Sequence, residues 1–349
     1  MSRYDTLADL TVEVEDCELV RRERETAAFT RVTTEIRLHG PHETGYGEDV
    51  TYDAELHDDL QRTGAPPLSG TYSHATLSDI VGELDMFPRR EPERQAFRQY
   101  RRWAFESAAL DLALKQRKSS LGDALDRSYE PVRFLVSPKL GDPPTVKRVD
   151  RWLEIDDRLE FKLDPTSDWT PELAGRLAET GSVRVLDLKG HYEGTEVDQP
   201  ADPDLYELVL DRFPDAIIED PAFTAETEPL LLGERDRLSW DAPVHSVADL
   251  EELPETGWLN VKPSRFGSVE ALLEAFDACE EHDSGCYVGG QFELGPGREQ
   301  LHAIASLFCP DAPNDVAPVA YNDPEPREGL PGSPLSPPDE PIGFEWERI

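Results

Sequence analysis

From about residue 131 onward, short apolar runs alternate with amphipathic stretches. The runs are VRFLV at 132–136, LEFKL at 159–163, VRVLDL at 183–188, DAIIE at 215–219, RLSWD at 237–241, WLNVK at 258–262, CYVGG at 286–290 and DVAPV at 315–319. Between them lie PELAGRLAET, PDLYELVLDRF, SVADLEEL, SVEALLEAFDACEEH and GREQLHAIASLF, which carry apolar positions at helical spacing. Eight strands alternating with helices predict a parallel (β/α) barrel. The runs are mostly apolar, as strands covered on both faces must be.

The first part of the chain has a different rhythm. LTVEVEDCELV and FTRVTTEIRL alternate with period two, and HGPHETGYGEDV supplies turn residues. Phe97, Tyr100, Ala104, Ala108 and Leu112 form an apolar stripe, which predicts one helix over 92–118. The expected class is therefore α/β: a TIM-like (β/α) barrel preceded by an α+β capping domain. The expected boundaries are a capping domain at 1–125, a barrel at 126–322 and a tail at 323–349. The tail holds DPEPREGLPGSPLSPPDEP, which suits neither a helix nor a central strand. It is expected to run extended over the body, anchored by Phe344 and Trp346.

Charge narrows the possible partners. The 349 residues carry 73 Asp plus Glu against 35 Lys plus Arg, a formal −38. Such a surface repels nucleic acid and anionic membranes. The acids are spread along the chain, as on a solvated surface adapted to a high-salt, halophilic cytoplasm. Only seven of the cations are lysine: Lys115, Lys118, Lys139, Lys147, Lys162, Lys189 and Lys262. A buried lysine can act as a base where an arginine cannot, and Lys162, Lys189 and Lys262 each close an apolar run. Four cysteines without a CxxC, and no apolar leader or long apolar run, point to a reduced, soluble, cytoplasmic protein. A homo-oligomer is compatible with this reading.

Active sites of such barrels lie at the carboxyl ends of the strands. Read in order, those ends give Lys162, Asp187, Glu219, Asp241 and Lys262. Three converging carboxylates repel one another unless a hard cation such as Mg²⁺ (or Mn²⁺) sits between them.

These motifs together resemble the enolase superfamily, in particular its muconate-lactonizing-enzyme-like, mandelate-racemase-type branch. FKLD at 161–164, VLDLKG at 185–190, IIEDP at 217–221, SWDAPVHS at 239–246, NVKPSRFGS at 260–268 and YVGGQFELGPGR at 287–298 carry the resemblance, with ESAALDLAL and GYGEDV for the capping region. The resemblance implies Mg²⁺ held by Asp187, Glu219 and Asp241. It also implies lysine-catalysed removal of the proton beside the carboxylate of a small substrate, through a metal-stabilised enediolate. Within that chemistry the expected reaction is a lyase or dehydratase elimination, with isomerisation (cycloisomerase or epimerase) next. The alternative is a non-catalytic, metal- or ligand-binding member. A barrel hydrolase with histidine ligands is disfavoured, because no strand run ends in histidine.

The chain departs from the family pattern at two positions. Where members usually carry a second lysine, K-x-K, this chain has Asp164; where D-x-N is common, it has Asp187-Leu188-Lys189. The expectation is a transposition, in which Lys189 pairs with Asp164 and restores the lost ammonium. Lys262 is then the leading base and Lys162 orients the substrate. One base on one face favours elimination over two-base racemisation. Tyr46 and Glu48 from the capping loop, His245, Gln291 and Glu293 are further candidate substrate contacts. His245 is alternatively a helix cap, and GPGR at 295–298 is either an anion-binding turn or a simple one.

Overall fold

The computed structural model describes residues 2–195, 197–344 and Trp346. The end of the expected tail, residues 345 and 347–349, lies outside them.

The N-terminal part is built on a three-stranded antiparallel sheet of Asp16–Glu25, Thr30–Gly40 and Glu43–Asp49, in chain order. The helix Ala96–Gln116 packs across its last strand. Glycine allows this close approach. A Cβ at Gly45 would stand 2.2 Å from Ala108 O, and one at Gly47 1.9 Å from Ala104 O. The GYG of the sequence motif is thus a packing surface. The helix starts later than the apolar stripe predicts, and Lys118, at φ +55°, lies where its C-terminal turn ends.

Six parallel strands follow, hydrogen-bonded in chain order: Phe161–Leu163, Val183–Asp187, Ile217–Glu219, Leu238–Trp240, Trp258–Val261 and Gly285–Val288. Parallel bridges Val136↔Phe161, Phe134↔Asn314 and Gly289↔Asp315 link the outer strands through the first and eighth runs, so the sheet curls back on itself. Both of those runs are shorter than expected, for physical reasons. In the first, Val132 pairs with Leu335 of the tail, and Phe134 N–H donates to Ser333 Oγ at 2.9 Å, so tail atoms take bonds a strand would otherwise make. The eighth run contains Pro318, which has no N–H to give, and the chain turns into a 3₁₀ segment at Val319–Asn322.

Helices Pro171–Glu179, Pro203–Arg212, Val269–Glu281 and Pro296–Phe308 separate the strands. Thr170 and Asp202 cap the first two ahead of a proline in the first turn, and Ser268 caps the third. Inside the curled sheet, Leu135, Val185, Ile217 and Tyr287 form a small apolar layer of their own. Val185 and Ile217 lie two residues before Asp187 and Glu219, so the carboxylates share the inward face one layer nearer the strand ends. The tail returns to the body: Phe344 meets Trp103 edge-on at 6.2 Å, and Trp346 lies 6.2 Å from Tyr129. No helix among the described residues is long and apolar enough to cross a membrane.

Candidate active site

Asp187, Glu219 and Asp241 are buried, and one carboxylate oxygen from each lies within 4.8 Å of the others. Asp187 and Glu219 stand side by side in the parallel register. Asp241 follows its strand by one residue and is fixed through its backbone. Asp220 accepts the Asp241 N–H and the Ala242 N–H, each at 2.8 Å, one on each carboxylate oxygen. Asp220 itself adopts φ +48°.

Two lysines flank the carboxylates. Lys162 Nζ lies 2.6 Å from Glu219, 3.3 Å from Asp187 and 3.3 Å from Asp315. On the far side, Lys262 Nζ donates to Asp241 Oδ2 at 2.8 Å. Arg265 and the Tyr192 hydroxyl also reach Asp241, and Tyr192 donates to Oδ2 at 2.9 Å. Glu219 accepts from Asn260 Nδ2 at 3.1 Å and from the Tyr287 hydroxyl.

Burial and the two neighbouring acids push the Glu219 carboxyl up to about 8 against the pull of Lys162. Burial tends to raise Asp187 and Asp241 too, but Lys189 and Lys162 outweigh it at Asp187, and Arg265 and Lys262 at Asp241, so both sit below the usual range. Lys162 is buried, yet Glu219, Asp187 and Asp315 hold it well above the ordinary lysine value.

The donor set fits a hard divalent cation. It offers carboxylate oxygens alone, and Asp241 Oδ1 is buried without a hydrogen-bond partner among the described residues. The Arg265 guanidinium stands 3.3 Å from that oxygen, and three buried carboxylates this close still repel one another unless a cation lies between them.

The remaining candidates divide. Lys189, at φ +54°, hydrogen-bonds Asp187 and stands 3.6 Å from Asp164 Oδ1; the nearer partner of Asp164 is Lys139, at 2.6 Å from Oδ2. The expected Asp164–Lys189 pair is therefore one side of a three-residue cluster on the first three strand ends. His245 donates its backbone N–H to Asp249 beside the Ser246–Asp249 capping box, within electrostatic reach of Arg265 and Asp241.

Tyr46 and Glu48 have other partners. Lys115 Nζ sits 4.6 Å from the Tyr46 ring centroid, and Tyr46 O accepts from Gln300. Glu48 is buried and accepts the N–H groups of Leu294 (2.6 Å), Gly295 (2.9 Å) and Gly297 (3.0 Å). The anion at the GPGR turn is thus the chain's own Glu48, set at the N-terminus of Pro296–Phe308. Gln291 joins the Tyr52 and Tyr100 hydroxyls at 2.9 and 3.2 Å, and Glu293 pairs with Arg298 at 3.0 Å. Tyr46, Glu48 and Gln291 tie the N-terminal region to the seventh-strand loop and the helix after it, while Glu293 pairs within that segment.

Asp220, Asp315 and Arg265 lie in or beside the motif runs but were not singled out from sequence. In a chain this acidic, a carboxylate's partners become visible only in three dimensions. Tyr192 comes from a loop with no pattern to mark it.

Residues 5–124 match the N-terminal domain, and residues 128–323 the C-terminal domain, of a family described as a domain of unknown function (DUF8230). The chain belongs to the DUF8230 family. It is also similar to curated enzymes. The o-succinylbenzoate synthase of Bacillus subtilis (strain 168) is 26% identical over 252 residues, covering 69% of this chain and 66% of that one. The N-succinylamino acid racemase of Amycolatopsis sp is 25% identical over 295 residues, covering 81% and 77%. The chain thus spans about two thirds to three quarters of these relatives' lengths. Among solved structures, a member of the enolase superfamily from Listeria innocua superposes with a TM-score of 0.63 at 18% identity, over 88% of this chain and 86% of that one. The dipeptide epimerase of Methylococcus capsulatus complexed with Mg ion gives 0.67 at 19% identity, over 95% and 99%. The DUF8230 chain therefore has the fold of enolase-superfamily members, an α/β fold with a β/α barrel domain.

Proposed function

We propose that this DUF8230 protein is a Mg²⁺-dependent enzyme that removes the proton beside a carboxylate group of a small substrate. Elimination is the favoured outcome and isomerisation the next. The observation that carries the reading is the buried Asp187–Glu219–Asp241 cluster with Lys162 on one side and Lys262 on the other. Enzymes named for synthase, racemase and epimerase activities among its relatives support the reaction class.

Asp187, Glu219 and Asp241 would hold the cation, with Mn²⁺ an alternative, and when bound it would supply positive charge to the substrate carboxylate as negative charge grows there. Lys262 takes the proton from the carbon. Its stem passes against the seventh strand at Gly289, where a Cβ would stand 2.8 Å from Lys262 Cε, so glycine gives the lysine its path. Lys162, held as the ammonium by its three carboxylates, orients the substrate carboxylate. In an elimination the C–H electrons form the new C=C bond, and the β-hydroxyl departs as water with the proton that Lys262 has taken up. Lys189 and Asp164 place a further ammonium at the mouth without offering a second base. In this reading residues 1–125 cap a barrel of 126–322, the tail straps the body, and the protein works in a salt-rich cytoplasm as a monomer or homo-oligomer.

A second reading, a non-catalytic metal- or ligand-binding member, draws on Asp164. It occupies the place of the usual second lysine and is neutralised by Lys139 at 2.6 Å. An exchange screen in D₂O separates the two. N-succinyl amino acids and other small carboxylates are incubated with protein and Mg²⁺, and loss of the α-proton signal is followed by NMR. Exchange that disappears in Lys262→Met supports the enzyme; uptake of Mg²⁺ without exchange of any acid supports the binding module.

A further inference from the structure

Asp315 is the first residue of the eighth run, and the structure sets it firmly at the mouth. Its N–H donates to Val288 O at 2.8 Å, and its carbonyl accepts from Gly290 N–H at 3.2 Å. The residue before it is pinned from the other side, where Leu135 N–H donates to Asn314 O at 2.7 Å. A run too short to form a strand is therefore held by both neighbours, and the Asp315 carboxylate reaches Lys162 Nζ at 3.3 Å.

Lys162 is thus surrounded by three carboxylates with different obligations. Glu219 and Asp187 belong to the cluster proposed to hold the cation. Asp315 does not: its side chain is 19% exposed, whereas the other two are fully buried. A divalent cation and the Lys162 ammonium, both positive, compete for the carboxylates of Glu219 and Asp187. We infer that Asp315 is a positioning residue: it takes the Lys162 ammonium as its counterion, so that Glu219 and Asp187 are available to the cation. The inference rests on the proposed cation site and adds a fourth acid that is no member of it. The charges agree with this division. Glu219 is the nearest anion to Lys162 at 2.6 Å, with Asp187 and Asp315 both at 3.3 Å, so a cation that enters draws the two cluster carboxylates from the ammonium, and Asp315 is the acid outside the cluster that remains to hold it.

A double-mutant cycle on metal affinity tests this without any substrate. Mg²⁺ binding is measured by calorimetry for the full chain, Asp315→Asn, Lys162→Met and the double variant. Asp315→Asn is expected to weaken Mg²⁺ about tenfold, in the range of close charge pairs. In the Lys162→Met background the same substitution is expected to change affinity less than twofold, because no ammonium remains to be placed. Asp315→Glu, which keeps the charge, should restore affinity. Equal weakening in both backgrounds overturns the inference and makes Asp315 act on the cation directly. Unchanged affinity in Asp315→Asn overturns it as well. Asp315→Ser serves as a second variant should the first fail to fold, with the same two outcomes. If the unaltered protein takes up no Mg²⁺, the proposed cation site itself fails, which is distinct from a normal affinity with no coupling.

Discussion

Asp220 receives the backbone N–H of Asp241 at 2.8 Å and fixes the place where the fifth strand ends. Its second oxygen takes Ala242 N–H at the same distance, so two consecutive amides hang from one buried carboxylate. The Asp241 side chain reaches the other acids because its backbone is held this way.

Replacing Asp220 with alanine leaves both amides without acceptors. The expected cost is about 2–3 kcal/mol of stability, together with weaker Mg²⁺ binding, since Asp241 is no longer aimed. Asp220→Asn keeps one acceptor oxygen and is expected to fall between the two. Denaturant unfolding and calorimetry read the pair of effects. Normal metal affinity in Asp220→Ala would show that Asp241 holds its place unaided.

Glu48 joins the N-terminal sheet to the barrel through three amides at the start of Pro296–Phe308. Glu48→Ala removes a helix-terminal anion and leaves buried donors open, with an expected loss of about 2 kcal/mol. Because its carboxylate faces those amides, Mg²⁺ affinity should stay within about twofold of the unaltered protein, below the ~0.5 kcal/mol at which distant sites couple. A large loss of affinity with unchanged stability would return Glu48 to the substrate side of the site.

His74 is buried beside the Tyr4 hydroxyl, 3.1 Å from Nδ1, and burial pushes its pKa down to about 4. The unfolded chain protonates this residue near its ordinary value of about 6.5, while the native chain does not. As pH falls from about 6.5 towards 4, the native state loses about 1.4 kcal/mol per pH unit relative to a His74→Gln variant, and the loss levels off below 4. Urea unfolding of both proteins across that window measures the difference. A gap independent of pH would contradict a neutral buried His74.

Much of this was legible in the chain because the period of the apolar pattern and the residue at each strand end are local properties. The alternation after residue 131 and the acids at 187, 219 and 241 needed no knowledge of contacts. What stayed hidden depends on neighbours distant in sequence. Glu48 read as a substrate contact because its amides lie some 250 positions away, with Leu294 separated by 246 residues. The Asp164–Lys189 pair reads as complete because its third member, Lys139, lies 25 residues before Asp164, just past the first run. The short eighth strand has a local cause instead: Pro318 inside the run has no N–H to give to a neighbouring strand.

The account stands on one cation bridging three side chains, and Mg²⁺ titration by calorimetry tests that most directly. One Mg²⁺ per chain is expected for the unaltered protein, with binding lost in each of Asp187→Asn, Glu219→Gln and Asp241→Asn. No uptake by the unaltered chain, or uptake that survives any of those three substitutions at full strength, would contradict it.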